Sequence, residues 1–127
     1  MAVIADARPI TFILTRDRAA SEAFYANVLG FGPAHDDGFA AVFDLAHATL
    51  RITHIPAYEA GPHPVLGWQV SNIEAAVDEL VTAGVAMTIY DGMGQDARGI
   101  WTAPDGSARV AFFPDPDGNV LSLTQAG

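Results

Sequence analysis

The strongest constraint on the fold is that one pattern of elements occurs twice along the chain. A short apolar run, Ile10–Leu14, is predicted to be a buried strand and is followed by a helix; the run Val65–Val70 is followed by a second helix. Several strands follow each helix. This repeat indicates an internal duplication. Two copies would make two similar half-sheets, each with a helix on one face.

The two predicted helices begin and end with the same chemistry. Asp17 and Asn72 are the predicted N-caps, because their side-chain oxygens can accept the free N–H groups of a first helical turn. Gly30 and Gly84 are the predicted stops, because glycine tolerates the left-handed conformation found there. The apolar face of the second helix is predicted to consist of Val77, Leu80 and Val81.

The remaining strands are predicted from apolar runs bounded by turn residues. After the first helix they are Phe39–Asp44 and Thr49–Ile55, with a short strand near Ala34. After the second helix they are Val85–Tyr90, Gly99–Thr102, Ala108–Phe113 and Asn119–Thr124. The turns PDG and DPDG separate the later strands, since Pro sets φ and Gly allows a positive φ.

Composition limits the class of partner. The formal net charge is −9 and only six residues are Lys or Arg, which argues against nucleic acid and against an anionic membrane surface. The chain has no cysteine, so neither a thiolate nucleophile nor Cys-ligated zinc is expected. No apolar run approaches the roughly 20 residues that span a bilayer. We therefore expect a cytoplasmic protein of one domain, residues 1–127, built from two modules at about 9–57 and 64–125.

Three stretches, in this order along the chain, carry a resemblance to a known superfamily. They are RDRAASEAFYANVLGF (Arg16–Phe31), SNIEAAVDELVTAGV (Ser71–Val85) and FFPDPDGNVLSLTQ (Phe112–Gln125). Together they resemble the vicinal oxygen chelate superfamily, which includes glyoxalase I, extradiol dioxygenases, fosfomycin-resistance enzymes and bleomycin-resistance proteins. The resemblance implies an α+β fold in which two paired βαβββ modules form a cupped, partly open mixed β-sheet with helices on the outer face.

The resemblance also implies positions for a divalent metal ion, and this chain carries no suitable ligands there. In catalytic members His, Gln or Glu from four strands hold the metal; the corresponding residues are Ile10, Arg51, Val65 and Ser122. Isoleucine and valine have no donor atom. A guanidinium 4 Å from a divalent ion would be repelled by roughly 8 kcal/mol at an effective dielectric near 20. We therefore expect neither a metal nor another cofactor. The histidines form no recognisable ligand motif either; they are His35, His47, His54 and His63.

Strand alternation predicts which side chains share a face with those four positions. The predicted ligand-binding residues are Phe12, Arg51, Gln69, Trp101 and Ser122. Arg51 has two interpretations: an anchor for a ligand carboxylate, or an internal salt bridge with one of the 15 acidic residues. Trp101 is either a pocket wall or a core residue.

These features favour a metal-independent protein that binds a small organic molecule in the cleft of the sheet, as a homodimer. The alternative is an enzyme of the superfamily, a lyase, isomerase or dioxygenase, with non-standard metal ligands or metal-free acid–base catalysis. A third hypothesis is that the duplication serves only assembly with a partner. The charge of the ligand stays open, because the acidic chain favours a cation whereas Arg51 favours an anion.

Overall fold

The computed structural model describes residues 2–127, which divide into two compact units. The first unit ends at Tyr58 and the second spans Glu59–Gly127. In each unit a strand is followed by a helix and then by three strands. This order confirms the predicted α+β class and the duplicated βαβββ pattern.

The first unit contains a four-stranded mixed sheet. Its elements are β1 (Ile10–Thr15), α1 (Arg18–Ala23), a π-helical turn (Phe24–Val28), β2 (His35–Asp36), β3 (Ala41–Asp44) and β4 (Thr49–His54). The strand order is β1-β4-β3-β2. β1 runs parallel to β4, and the other neighbours are antiparallel. The fourth strand therefore lies beside the first, and the sheet stays open at both edges.

The second unit repeats this topology. Its elements are β5 (Pro64–Gln69), α2 (Ile73–Thr82), β6 (Trp101–Thr102), β7 (Ala108–Pro114) and β8 (Val120–Ala126). The strand order is β5-β8-β7-β6, with β5 parallel to β8. The two sheets are thus equivalent strand for strand, as a duplication requires.

The predicted helix boundaries follow from capping. The Asp17 side chain accepts the backbone N–H of Ala20 at 3.1 Å, and the Asn72 side chain accepts that of Ala75 at the same distance. Gly30 and Gly84 adopt φ of +80° and +97° directly after the helical segments. Within residues 2–127, neither helix has the length and apolar character that crossing a membrane requires.

The core of each unit lies between the helix and one face of the sheet. In the first unit Tyr25 packs against Phe43 with ring centroids 6.4 Å apart, and both are at most 1% exposed. In the second unit α2 buries Ile73, Val77 and Leu80. The prediction that Val81 belongs to this apolar face is wrong: Val81 is 53% exposed, so the buried stripe is narrower than predicted.

The predicted strand Val85–Tyr90 is also wrong, because a side chain takes the place of a neighbouring strand. The amide of Gln95 donates to the carbonyls of Thr88 (2.9 Å) and Gly99 (2.7 Å) and accepts the N–H of Tyr90 (2.7 Å). Only one backbone bond, from the Thr88 N–H to the Phe112 carbonyl, ties residues 85–90 to β7. The segment lacks the paired ladder that defines a strand.

Two other strands start later than predicted because carboxylates capture the first backbone N–H groups. Asp37 accepts the N–H groups of Phe39 and Ala40, so β3 begins at Ala41. Asp96 accepts the N–H of Ile100, so β6 begins at Trp101. In both cases an Asp side chain closes a turn where a strand ladder was predicted.

Candidate functional site

Strand register decides which side chains lie on the face of each sheet away from its helix, which we call the open face. In the first unit Phe43 marks the helix side through its contact with Tyr25. In the second unit Gln125 marks it, because its side chain accepts the N–H of Ile73 at the start of α2. Residues one position away along each strand therefore belong to the open face.

The open face of the first unit carries one row of directly paired residues across all four strands. Phe12 pairs with Arg51, Arg51 with Val42, and Val42 with His35. Phe12 is 62% exposed, although phenylalanine is usually buried. The predicted residues Phe12 and Arg51 are thus direct cross-strand neighbours on a face that the helix of this unit does not cover.

The open face of the second unit carries the other three predicted residues. Gln69 pairs with Thr124, Thr124 with Val110, and Val110 with Trp101, so Gln69 and Trp101 are the two ends of one row. The adjacent row holds Gly67, Ser122 and Phe112. Ser122, Gln69 and Trp101 therefore lie on the same face of this sheet; whether they bind a ligand stays a prediction.

Ser122 approaches the backbone of β5 unusually closely. A Cβ at position 67 would lie 2.3 Å from the Ser122 Oγ, a distance that real side chains do not reach. Any side chain at position 67 would occupy the space of the Ser122 hydroxyl, so this position requires glycine. Sequence analysis did not single out Gly67, although a glycine inside a strand often marks such a close approach.

Hydrogen-bonding groups on the open face of the second unit are free. Among residues 2–127 no partner is found for the Ser122 and Thr124 hydroxyls, the Gln69 amide or the Trp101 indole N–H. Beside them the rings of Phe112 and Tyr90 form an edge-to-face pair, with centroids 5.5 Å apart and planes at 79°. This face combines aromatic surface with uncharged donors and acceptors.

Arg51 makes the internal salt bridge that was one of its two interpretations. Its Nη1 donates to a carboxylate oxygen of Asp37 at 2.6 Å. The other Asp37 oxygen accepts the backbone N–H groups of Phe39 and Ala40 at 2.9 and 2.8 Å. These backbone bonds, together with Arg51, lower the pKa of Asp37 to about 2. Whether Arg51 also binds a ligand stays a prediction.

Asp37 is the residue of this region that sequence reasoning missed. Its signal is the DDGF sequence, in which Asp36 accepts the N–H of Gly38 at 2.7 Å and Asp37 accepts the next two N–H groups. Asp followed by Gly predicts a tight turn. Nothing in the sequence indicates that the turn ends beside Arg51.

The four positions that the resemblance assigns to metal ligands do not fit a divalent ion. Ile10 has no donor atom, and Val65 has none either and lies where the pairing of β5 with β8 shifts register. The Arg51 guanidinium is positively charged, and Ser122 offers a neutral hydroxyl. Across residues 2–127 no group of three or more His, Asp or Glu side chains is placed to hold a metal ion.

A shallow depression of about 540 Å³ lies at the carboxyl ends of the parallel strands β5 and β8. It is lined by Gln69, Val70, Ser71, Gln125 and Ala126. Gln69 is the one predicted ligand-binding residue in it. The Gln125 side-chain oxygen already accepts a hydrogen bond from the N–H of Ile73 at 2.7 Å.

We expect Asp37 to make stability depend on acid pH. Its folded pKa of about 2 lies below the ordinary 3.8, so its contribution is complete above pH 3.8 and is lost as the pH falls towards 2. Chemical denaturation should show Asp37→Asn less stable than wild type at pH 7, with the difference shrinking between pH 4 and 2. The control is Asp91→Asn, at an exposed carboxylate without an ion pair within residues 2–127. A gap between wild type and Asp37→Asn that does not change with pH would contradict this.

Comparison with known proteins identifies the fold and the sequence family. A family model described as the glyoxalase/bleomycin resistance protein/dioxygenase superfamily matches residues 9–123. A search of curated protein sequences finds no match.

Solved structures give the same fold at low identity. A glyoxalase/bleomycin resistance protein/dioxygenase from Nocardioides is 19% identical, with a TM-score of 0.70 over 94% of this chain and 83% of that one. A glyoxalase family protein from Enterococcus faecalis is 18% identical, with a TM-score of 0.72 over 96% and 98%. The fosfomycin resistance protein FosX from Listeria monocytogenes is 14% identical, with a TM-score of 0.73 over 96% and 94%.

Proposed function

Because the chain belongs to the glyoxalase/bleomycin resistance protein/dioxygenase superfamily, we propose that it binds a small organic molecule without a metal ion. The proposed contacts come from the open faces, through Phe12 and Arg51 in the first unit and Gln69, Trp101 and Ser122 in the second. The relatives named above include a fosfomycin resistance protein, which makes a small organic molecule a reasonable ligand class.

One observation carries this proposal: apolar and polar groups on the open faces lack partners within their own unit. Phe12 is 62% exposed, and the Gln69, Trp101 and Ser122 polar groups have no hydrogen-bond partner among residues 2–127. Exposed aromatic surface next to a few unpaired polar groups is typical of small-molecule sites. Contiguous exposed apolar surface rimmed by polar groups typically marks an interaction or ligand-binding site.

Metal independence is supported by the residues at the four ligand positions. Ile10 is 53% exposed and Val65 is 46% exposed, yet neither side chain can donate an electron pair to a cation. Arg51 is positively charged and hydrogen-bonded to Asp37. A metal would need several oxygen or imidazole ligands in their place.

We extend the proposal to the state and location of the protein. The two modules are proposed to make one domain, and the protein is proposed to be a cytoplasmic homodimer that binds neither nucleic acid nor membranes, consistent with its net charge of −9. Exposed Ile10 on the edge strand β1 is apolar surface that a second copy could cover. Light scattering after size exclusion should give twice the 13.4 kDa chain mass.

The test is a thermal-shift screen against a library of small aromatic and polar compounds, followed by calorimetry. A ligand that binds the folded state should raise the Tm with its concentration. Phe12→Ala or Trp101→Ala should weaken binding at least about tenfold, which corresponds to roughly 1.4 kcal/mol. The control Val81→Ala removes an apolar side chain that is 53% exposed on α2 and should leave affinity unchanged.

Treatment with EDTA separates this proposal from a metalloenzyme. We expect ligand affinity and Tm to be the same before and after chelation. A stoichiometric metal that EDTA removes, with loss of ligand binding, would contradict metal independence. Binding that survives both Phe12→Ala and Trp101→Ala would contradict the proposed location.

A further inference from the structure

The open face of the second unit differs from that of the first in carrying no ionisable strand residue. β5, β6, β7 and β8 place no Asp, Glu, Lys, Arg or His on this face. In the first unit the corresponding face carries Arg51, Asp44 and His35. The charge pattern of the two faces is therefore asymmetric, although their strand topology is the same.

The uncharged polar groups of the second open face are arranged in two adjacent rows. Gln69 and Thr124 are direct neighbours in one row, with Trp101 at its far end; Ser122 lies in the next row beside Phe112. None of these amide, hydroxyl and indole groups has a partner among residues 2–127. They offer both donors and acceptors to whatever occupies the face.

Desolvation decides which ligand chemistry these groups suit. A carboxylate placed against Trp101 and Phe112 would lose hydration and meet no positive charge on this face, which is costly. An uncharged amide or carbonyl would exchange water for the Gln69, Thr124 and Ser122 groups at little cost. An aromatic ring could also stack on the Trp101 or Phe112 ring.

Arg51 does not make the open face of the first unit selective for anions either. Its charge is compensated by Asp37, whose carboxylate lies 2.6 Å from Nη1. An approaching carboxylate would be attracted to the guanidinium and repelled by Asp37, so the net attraction is much smaller than that of an unpaired arginine. The net charge of −9 adds further repulsion.

We infer that the open face of the second unit takes an uncharged aromatic molecule carrying an amide or carbonyl group, and discriminates against carboxylates of the same shape. The inference rests on the proposed function and names the ligand class of that same site. Gln69, Thr124 and Ser122 bond the polar group, and Trp101 and Phe112 contact the ring.

Two probes of nearly equal shape test the charge preference: benzamide, which is neutral, and benzoate, which is anionic at pH 7. In a ¹⁵N NMR titration, benzamide should shift the Gln69 side-chain amide and the Trp101 indole resonances. At equal concentration benzoate should bind at least fivefold more weakly. Equal or tighter binding of benzoate, or no shift of these two resonances with either probe, overturns the inference.

Single substitutions test whether benzamide binds to the open face of the second unit. Ser122→Ala and Gln69→Ala should each weaken benzamide binding about three- to tenfold, the loss of one uncharged hydrogen bond. Thr102→Val changes a hydroxyl on the opposite face of β6 and should have no effect. Unchanged benzamide affinity in both Ser122→Ala and Gln69→Ala overturns the assignment of the polar contacts.

The outcomes separate this inference from the proposed function. If benzoate binds most tightly and Arg51→Gln abolishes that binding, the protein is still a small-molecule binder, and only the preference for uncharged ligands fails. If no library compound stabilises the protein at all, the proposed function fails and the inference fails with it.

Discussion

Asp115→Ala is expected to destabilise the protein by about 3 kcal/mol, because a buried carboxylate that organises the last turn is lost. Asp115 is 4% exposed. One of its oxygens accepts the N–H groups of Asp117 and Asn119 at 2.9 Å, and the other accepts the Asn119 side-chain amide at 2.8 Å. Asn119 is 1% exposed, so its donors would be left buried and unpaired. Such unpaired groups are more costly than a missing surface contact.

Thermal and urea denaturation measure this effect, and a fall in Tm of roughly 10 °C is expected for a chain of this size. The matched control is Asp105→Ala in the equivalent turn before β7. There an exposed Asp accepts the N–H of Ser107 at 2.9 Å, and the loss should be much smaller because water can replace the carboxylate. Equal losses in the two variants would show that burial is not the source of the Asp115 effect.

Gln95→Ala is expected to cost about 2 kcal/mol and to release residues 85–100 locally. The Gln95 side chain makes three hydrogen bonds, to Thr88, Tyr90 and Gly99, and these replace strand pairing for this part of the chain. Without it the Tyr90 N–H faces water, and its hydrogen exchange should become much faster.

Gln69→Ala is the matched control for Gln95→Ala. It removes the same side chain from a position where the amide is exposed and has no partner within residues 2–127, so stability should change little. If both variants unfold at the same denaturant concentration as wild type, the three Gln95 bonds do not contribute to stability. If Tyr90 exchange stays slow in Gln95→Ala, another group protects that N–H.

The parts of the fold that the sequence predicts are those set by local chemistry. Asp17 and Asn72 cap helices because each acts within three residues of itself, and Gly30 and Gly84 end helical segments through their own φ. Alternation along β1 and β8 predicts which face carries Phe12 and which carries Ser122, because successive side chains of a strand point to opposite faces. Because the two units have the same order of elements, each boundary predicted in one unit can be compared with the equivalent boundary in the other.

The errors arise where a side chain competes with the backbone for hydrogen bonds. Residues 85–90 have the apolar pattern of a strand, but Gln95 satisfies their backbone groups in its place. The partner of Arg51 is another example, since a chain with 15 acidic residues gives no local reason to choose Asp37. That choice depends on how β2 and the following turn lie beside β4, which is a tertiary property.

The strand order of both units has a consequence for how the sheets assemble. β7 and β8 are joined by a tight turn and can pair early, as can β3 and β4. β1 and β5 can attach only to the last strand of their unit, so each must close a long loop that includes a helix. We therefore expect a three-stranded antiparallel meander to form first in each unit, with the parallel edge strand joining last and leaving first. Phe12 lies on β1 and Gln69 lies on β5. We therefore expect these two residues of the candidate site to reach their final positions only in the last step of folding.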